Sequence, residues 1–145
     1  MPTSTVCVDA SLVVRLLLDP QDEAVTSLWR SWFERGQGVQ LVAPALITYE
    51  VTTALYQQQR QQRVSADGVE SLLVAMIALP IRTVTDTEIN VAAYRLATRF
   101  GLPATYDAHY LATAEKFDAE FWTADRKLAT AVQNELPWVK MIESV

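Results

Sequence analysis

Short apolar runs, each followed by a helical stretch before the next begins, constrain this chain more than any other feature. Val6-Cys7-Val8, Val39 to Ala43, Glu120 to Thr123 and Trp138 to Ile142 have strand length, and Ile81 to Val84 reads as a further strand or an extended connector. Between them lie segments of helical periodicity. Ser11 is placed to cap a helix running to Leu18, which Asp19-Pro20 ends. A second helix spans Gln21 to about Arg35, with Gly36 suited to its C-terminal turn. Pro44 opens a long helix to about Arg63, and another runs from Ala66 to Leu79 before Pro80. Thr85-Asp86-Thr87-Glu88 has the form of a capping box and starts a helix that ends at Gly101. Thr105 to Phe117 and Arg126 to Asn134 are helical as well. Strands joined through helices need crossover connections, so the expected fold is α/β: a three-layer α/β/α sandwich with a mostly parallel central sheet of about 4–5 strands.

The 145 residues show no internal repeat, low-complexity tract or boundary, and read as a single domain over 1–145. Cys7 is the only cysteine, which excludes an internal disulfide, and its apolar neighbours mark it as a buried thiol. The first residues carry no basic segment, and Leu16-Leu17-Leu18 is too short to span a bilayer. A cytoplasmic protein without membrane association is the expectation. A net charge of −5 argues against a broad basic surface for nucleic acid. Carboxylates that bind Mg2+ or Mn2+ add charge of the same sign, however, so the balance alone excludes little.

The informative residues are acids in places where solvated acids do not belong. Asp9 directly follows Val6-Cys7-Val8, at the carboxyl end of a central strand, although a helix N-terminal acid has the same address. Glu50 lies on or at the margin of the stripe formed by Leu46, Ile47, Val51, Ala54 and Leu55, so it needs a cation, an arginine or a raised pKa. Asp107 shares a helix face with Tyr110, Leu111 and Ala114, with helix capping as the alternative. Asp125 follows Phe121-Trp122-Thr123, where an N-cap is the better single-residue explanation. Parallel topology brings these four positions to one sheet edge, and all-oxygen ligation suits Mg2+ or Mn2+ rather than Zn2+. With one histidine and one cysteine, a zinc site of those residues is almost excluded. A Ser-His-Asp hydrolase would depend on His109 and lacks a G-x-S-x-G turn, and neither nucleotide-binding glycine motif is present.

Val6-Cys7-Val8-Asp9-Ala10-Ser11, Ala43-Pro44-Ala45-Leu46 leading to Glu50-Val51, Tyr106-Asp107-Ala108-His109-Tyr110-Leu111-Ala112 and Phe121-Trp122-Thr123-Ala124-Asp125 together resemble PIN-domain nucleases. Their order and spacing are most similar to the toxins of VapBC-type toxin–antitoxin modules. The resemblance implies an endoribonuclease dependent on Mg2+ or Mn2+, acting on an RNA substrate, usually a homodimer, and inhibited by a small cognate antitoxin protein. It also implies that Asp9, Glu50 and Asp107 hold the metal directly. Asp125 then binds it directly, through water, or binds a second ion. Ser11 and Thr123 match supporting hydroxyl positions. Arg15, Arg126 and Lys127 follow the acidic strand ends and are candidates for contact with flanking phosphates, with solvated surface charge as the alternative for each. Trp29, Trp32 and Phe33 read as core, or as a surface for an antitoxin helix or second subunit. The rival classes are a PIN-fold module that binds RNA or protein without cutting, and a phosphoacceptor signalling domain. The latter needs an acidic pair where this chain has Asp9-Ala10-Ser11.

Overall fold

The computed structural model describes residues 4–34 and 38–142. Strand β1 (Thr5–Val8) leads into helices α1 (Ala10–Leu18) and α2 (Glu23–Phe33) before β2 (Gln40–Pro44). Helices α3 (Leu46–Arg60) and α4 (Ala66–Ala78) precede β3 (Ile81–Val84); α5 (Thr87–Phe100) and α6 (Tyr106–Lys116) precede β4 (Glu120–Thr123). Helix α7 (Arg126–Val132) connects to the last strand, β5 (Val139–Met141). Arg35 and Gly36, the expected end of the second helix, lie outside the described residues.

Every strand pairing is parallel, in the order β3-β2-β1-β4-β5. In β1, Val6 is registered against Leu41 on one side and Glu120 on the other. Ile81 to Val84 is therefore a true strand. It lies at the sheet edge with Arg82 and Thr83 exposed, which explains why it lacks a continuous apolar run.

Neighbouring residues of β4 show that helices cover both faces. The Phe121 ring centroid lies 5.9 Å from that of Tyr110 on α6, whereas Trp122 lies 6.3 Å from Trp32 on α2. Successive strand side chains point to opposite faces, so α2 and α6 sit on opposite sides of the sheet. Helix α6 packs over β1, β2 and β4 with α5 against it, and α1 packs with α2, α3 and α4. Helix α6 is buried from Ala108 to Ala114 with the half-buried His109 as the exception, and its alanines permit close approach to the sheet. Cys7 is fully buried under it and donates from Sγ to the Tyr110 carbonyl at 3.5 Å. Trp29 and Trp32 are core residues, while Phe33 is half exposed.

Several helix ends depart from the sequence expectation for local reasons. Pro44 belongs to β2, paired with Val84, and α3 starts after it at Leu46. That helix ends at Arg60, with Gln62 in the left-handed region at φ 59°. The cap of α5 is Asp86 and not Thr85: its Oδ1 accepts the Glu88 amide at 2.9 Å. Gly101 closes α5 as expected, with φ 62° in a conformation glycine adopts without penalty. Helix α1 is capped by position 9, so Ser11 falls inside its first turn and its hydroxyl is directed elsewhere.

Candidate active site

The connections run from β1 outward to β2 and β3, then return past β1 to β4 and β5. Such a reversal opens a crevice at the carboxyl ends of the two central strands, here β1 and β4. Asp9 is the first residue after β1, and Asp125 lies two residues beyond the end of β4. Glu50 is the fifth residue of α3 and Asp107 the second of α6, both near the beginning of helices that start from this side.

Asp9 is 6% exposed and tightly held through one oxygen. Its Oδ2 accepts the Ser11 hydroxyl at 2.6 Å and the Thr123 hydroxyl at 2.7 Å. Ser11 Oγ in turn accepts the Ala124 amide at 3.0 Å, and Thr123 Oγ1 accepts the Asp125 amide at 2.9 Å. A hydroxyl has one proton, so with both given to Asp9 the 3.4 Å approach of the two hydroxyl oxygens is a contact and not a further bond. The expected N-cap role of Ser11 is thus replaced by a bridge between β1 and β4. Asp9 Oδ1 stays outside this pair of hydroxyl bonds.

Glu50 is half-buried and accepts the Tyr110 hydroxyl on Oε1 at 2.6 Å, leaving Oε2 outside that bond. None of the ion pairs among the described residues includes it, so the arginine alternative does not hold. Asp107 is half-buried on α6, three residues before Tyr110, and the cap position of that helix is Thr105. Asp125 does cap α7, its Oδ1 accepting the Leu128 amide at 3.1 Å.

Burial raises the pKa of three of these acids, and their neighbours raise it further. Desolvation acts first on Asp9, with the Asp125 charge adding and the two hydroxyls opposing. Glu50 is raised by desolvation and by Asp9 and Asp107, against the Tyr110 hydrogen bond. Asp107 is pushed up to about 6 by desolvation, Asp9 and Asp125. No basic side chain figures among the charges acting on these three. The donor set is therefore all oxygen, mutually repelling and without a protein cation, which fits a hard divalent ion. Among the described residues, no three His, Cys, Asp or Glu side chains already converge as a ligand set. The acids share one field but stand apart.

The PIN domain family profile matches residues 6–133. The chain belongs to the PIN domain family. Its α/β fold recurs in solved structures of low identity. PAE2754 from Pyrobaculum aerophilum is 22% identical with a TM-score of 0.68, the match covering 96% of this chain and 84% of that one. A toxin–antitoxin complex from Klebsiella pneumoniae is 16% identical with a TM-score of 0.68, covering 97% and 99%. Mycobacterium tuberculosis VapC20, described as a Sarcin-Ricin loop cleaving toxin, is 16% identical with a TM-score of 0.65, covering 88% and 95%. A search of curated proteins gave no significant match.

The basic candidates of this PIN domain divide in two. Arg15 Nη2 pairs with Asp22 Oδ2 at 2.5 Å, and Asp22 Oδ1 caps α2 by accepting the Ala24 and Val25 amides. Arg126 and Lys127 are exposed in the first turn of α7 and join no ion pair among the described residues. Cations there oppose the helix dipole, so local helix stability does not account for them. His109 links α6 to α5: Nδ1 lies 2.6 Å from the Thr105 carbonyl and Nε2 3.1 Å from Asn90 Oδ1. Sequence reasoning placed Tyr110 in an apolar stripe and missed its hydroxyl as the Glu50 donor. The available signal was that a buried tyrosine requires a polar partner.

Proposed function

We propose that this PIN domain is a metal-dependent endoribonuclease, the toxin of a toxin–antitoxin pair. The observation that carries the reading is the set of four carboxylates toward the switch between β1 and β4, three of them raised in pKa and none in an ion pair among the described residues. Asp9, Glu50 and Asp107 hold Mg2+ or Mn2+ in this proposal, with Asp125 as a further ligand or the holder of a second ion. The cation supplies a lowered pKa for the attacking water and stabilises charge on the phosphodiester.

The chain's own residues do the positioning. Ser11 and Thr123 orient Asp9 so that one carboxylate oxygen is occupied and the other is presented. Tyr110 does the same for Glu50. Arg126 and Lys127 stand after the second acidic strand end, where they contact phosphates flanking the cut. Arg15, held by Asp22, supports α2 instead.

The shared fold of the Klebsiella pneumoniae toxin–antitoxin complex and the Mycobacterium tuberculosis toxin VapC20 supports a toxin role and an antitoxin partner. Exposed Val74 and Ile77 on α4 are the kind of apolar surface that an antitoxin or second subunit of a homodimer covers. Among the described residues no helix is long and apolar enough to cross a membrane, and a cytoplasmic site of action belongs to the same proposal.

The test is cleavage of total RNA and purified tRNA by protein freed of any partner, with Mg2+, Mn2+ or EDTA, beside Asp9→Asn and Asp107→Asn. Discrete fragments that need metal and vanish in both variants support the reading. RNA binding without cleavage in any metal, unchanged by the substitutions, overturns it in favour of a binding module.

A further inference from the structure

Two tyrosines stand beside the acids with no packing role in the fold. Tyr49 immediately precedes Glu50 on α3 and is 74% exposed; Tyr106 immediately precedes Asp107 on α6 and is 63% exposed. They come from different helices, yet both line one open hollow of about 580 Å³ together with Leu46, Thr53 and Glu50 itself. The same pair lines an adjoining hollow of about 410 Å³ that runs on to Asn90 and His109. Both hollows have ligand size, in the range of ~300–1,000 Å³. A large amphipathic ring left in water costs burial that a fold ordinarily gains. Here two such rings line one hollow with Glu50, one of the four acids.

We infer that Tyr49 and Tyr106 form a stacking platform for an unpaired nucleobase of the RNA strand, next to the phosphate presented to Asp9, Glu50 and Asp107. This inference rests on the nuclease reading for the identity of the phosphate, and names the substrate class as single-stranded or looped RNA. No basic side chain lines the larger hollow, and Glu50 does, so what the hollow adds for a strand whose flanking phosphates meet Arg126 and Lys127 is ring surface and not charge. Stacking on a ring face is independent of charge and works for every base. A base inside a duplex is already stacked and does not reach the rings.

The test compares wild type with Tyr49→Ala, Tyr106→Ala and the corresponding phenylalanine variants. Fluorescein-labelled oligouridylate and oligoadenylate are bound in Ca2+ and followed by polarisation, with RNA integrity checked on gels. In parallel, KM and kcat are measured with Mn2+ on any RNA that wild type cuts. Each alanine variant is expected to weaken binding and raise KM about 5- to 150-fold, the span that loss of one base stack represents. The phenylalanine variants keep the ring and are expected to restore wild-type values. Pre-annealing the probe to its complement is expected to abolish the difference. Unchanged binding and KM in both alanine variants overturn the platform. So does a change confined to oligomeric state by light scattering, which assigns the rings to a protein contact. If wild type cuts nothing, the nuclease reading fails, while loss of oligonucleotide binding in the alanine variants still upholds the platform.

Discussion

Thr123 Oγ1 donates to Asp9 Oδ2 at 2.7 Å and accepts the Asp125 amide at 2.9 Å, so one hydroxyl ties the acid that ends β1 to the chain segment carrying the acid after β4. Valine has the shape of threonine without the hydroxyl. Thr123→Val is therefore expected to leave the packing intact, strand the Asp125 amide, and free Asp9 to turn. Its cost to stability should be about 1–3 kcal/mol, the penalty of a buried polar group left unpaired. Divalent-ion affinity should fall about 10–100-fold, as when other ligand-orienting partners are removed. Urea unfolding and Mn2+ titration by calorimetry measure the two effects, and Thr123→Ser should recover both.

The acid cluster also sets a pH dependence whose sign depends on metal. Asp9, Glu50 and Asp107 have folded pKa values raised above the unfolded ones, so each favours the folded state when protonated. The contribution of Asp107 is fully present below the ordinary carboxylate range and is lost as pH rises through about 6. Asp22 has the opposite sign. The Arg15 hydrogen bond lowers its pKa, so its contribution is present above the ordinary carboxylate range and is lost only in stronger acid. In EDTA the Tm should therefore fall as pH is raised from mildly acidic to neutral. Asp107→Asn should flatten that slope and stabilise the metal-free protein near neutral pH by about 1 kcal/mol after solvent screening. Saturating Mn2+ at neutral pH should raise the Tm of wild type and leave the variant nearly unmoved. Thermal scans across pH, with chelator or metal, check both outcomes.

Tyr110→Phe separates the Glu50 hydrogen bond from core packing. Tyr110 is fully buried, its ring lies against Phe121, and its hydroxyl donates to Glu50 Oε1 at 2.6 Å. Without that donor, desolvation and the charges of Asp9 and Asp107 act on Glu50 unopposed, and its pKa rises further. The acidic limb of the pH–rate profile should move to higher pH. Metal affinity near neutrality should drop about 10–100-fold, while stability changes by only about 0.5–1.5 kcal/mol. A pH–rate profile at fixed Mn2+ that superimposes on wild type would show that Glu50 is not held through this bond.

What the sequence made legible was local. Asp9 stood out because an acid directly after an apolar run sits at a strand's carboxyl end, and Glu50 because it interrupts a buried stripe. The misreadings came from partners far away in the chain. Ser11 has the side chain of an N-cap, but α1 already starts at Ala10, and the serine hydroxyl donates to Asp9 while accepting the amide of Ala124, more than a hundred positions later. Tyr110 repeats the lesson, since its polar partner lies on α3 rather than within its own helix. The edge strand β3 was ambiguous because Arg82 and Thr83 face solvent. The sheet order β3-β2-β1-β4-β5, which juxtaposes the Asp9 and Asp125 segments, depends on pairing energies that no local window contains.

Arg15, Arg126 and Lys127 each follow an acidic strand end, yet their surroundings differ. Arg15 is bound to the aspartate that caps α2, so Arg15→Ala should lower the Tm and leave RNA affinity nearly unchanged. Arg126 and Lys127 lie in the first turn of α7, where positive charge opposes the helix dipole. Replacing both with alanine should leave the Tm unchanged or slightly higher while weakening RNA binding. If each contacts one phosphate of a single strand, the slope of log K against log salt should flatten by about 0.7 per residue, or about 1.4 for the pair. Polarisation titrations over a series of salt concentrations read this slope directly. A double variant with the wild-type slope would return both side chains to solvated surface charge, and would place phosphate recognition elsewhere on the rim of the acids.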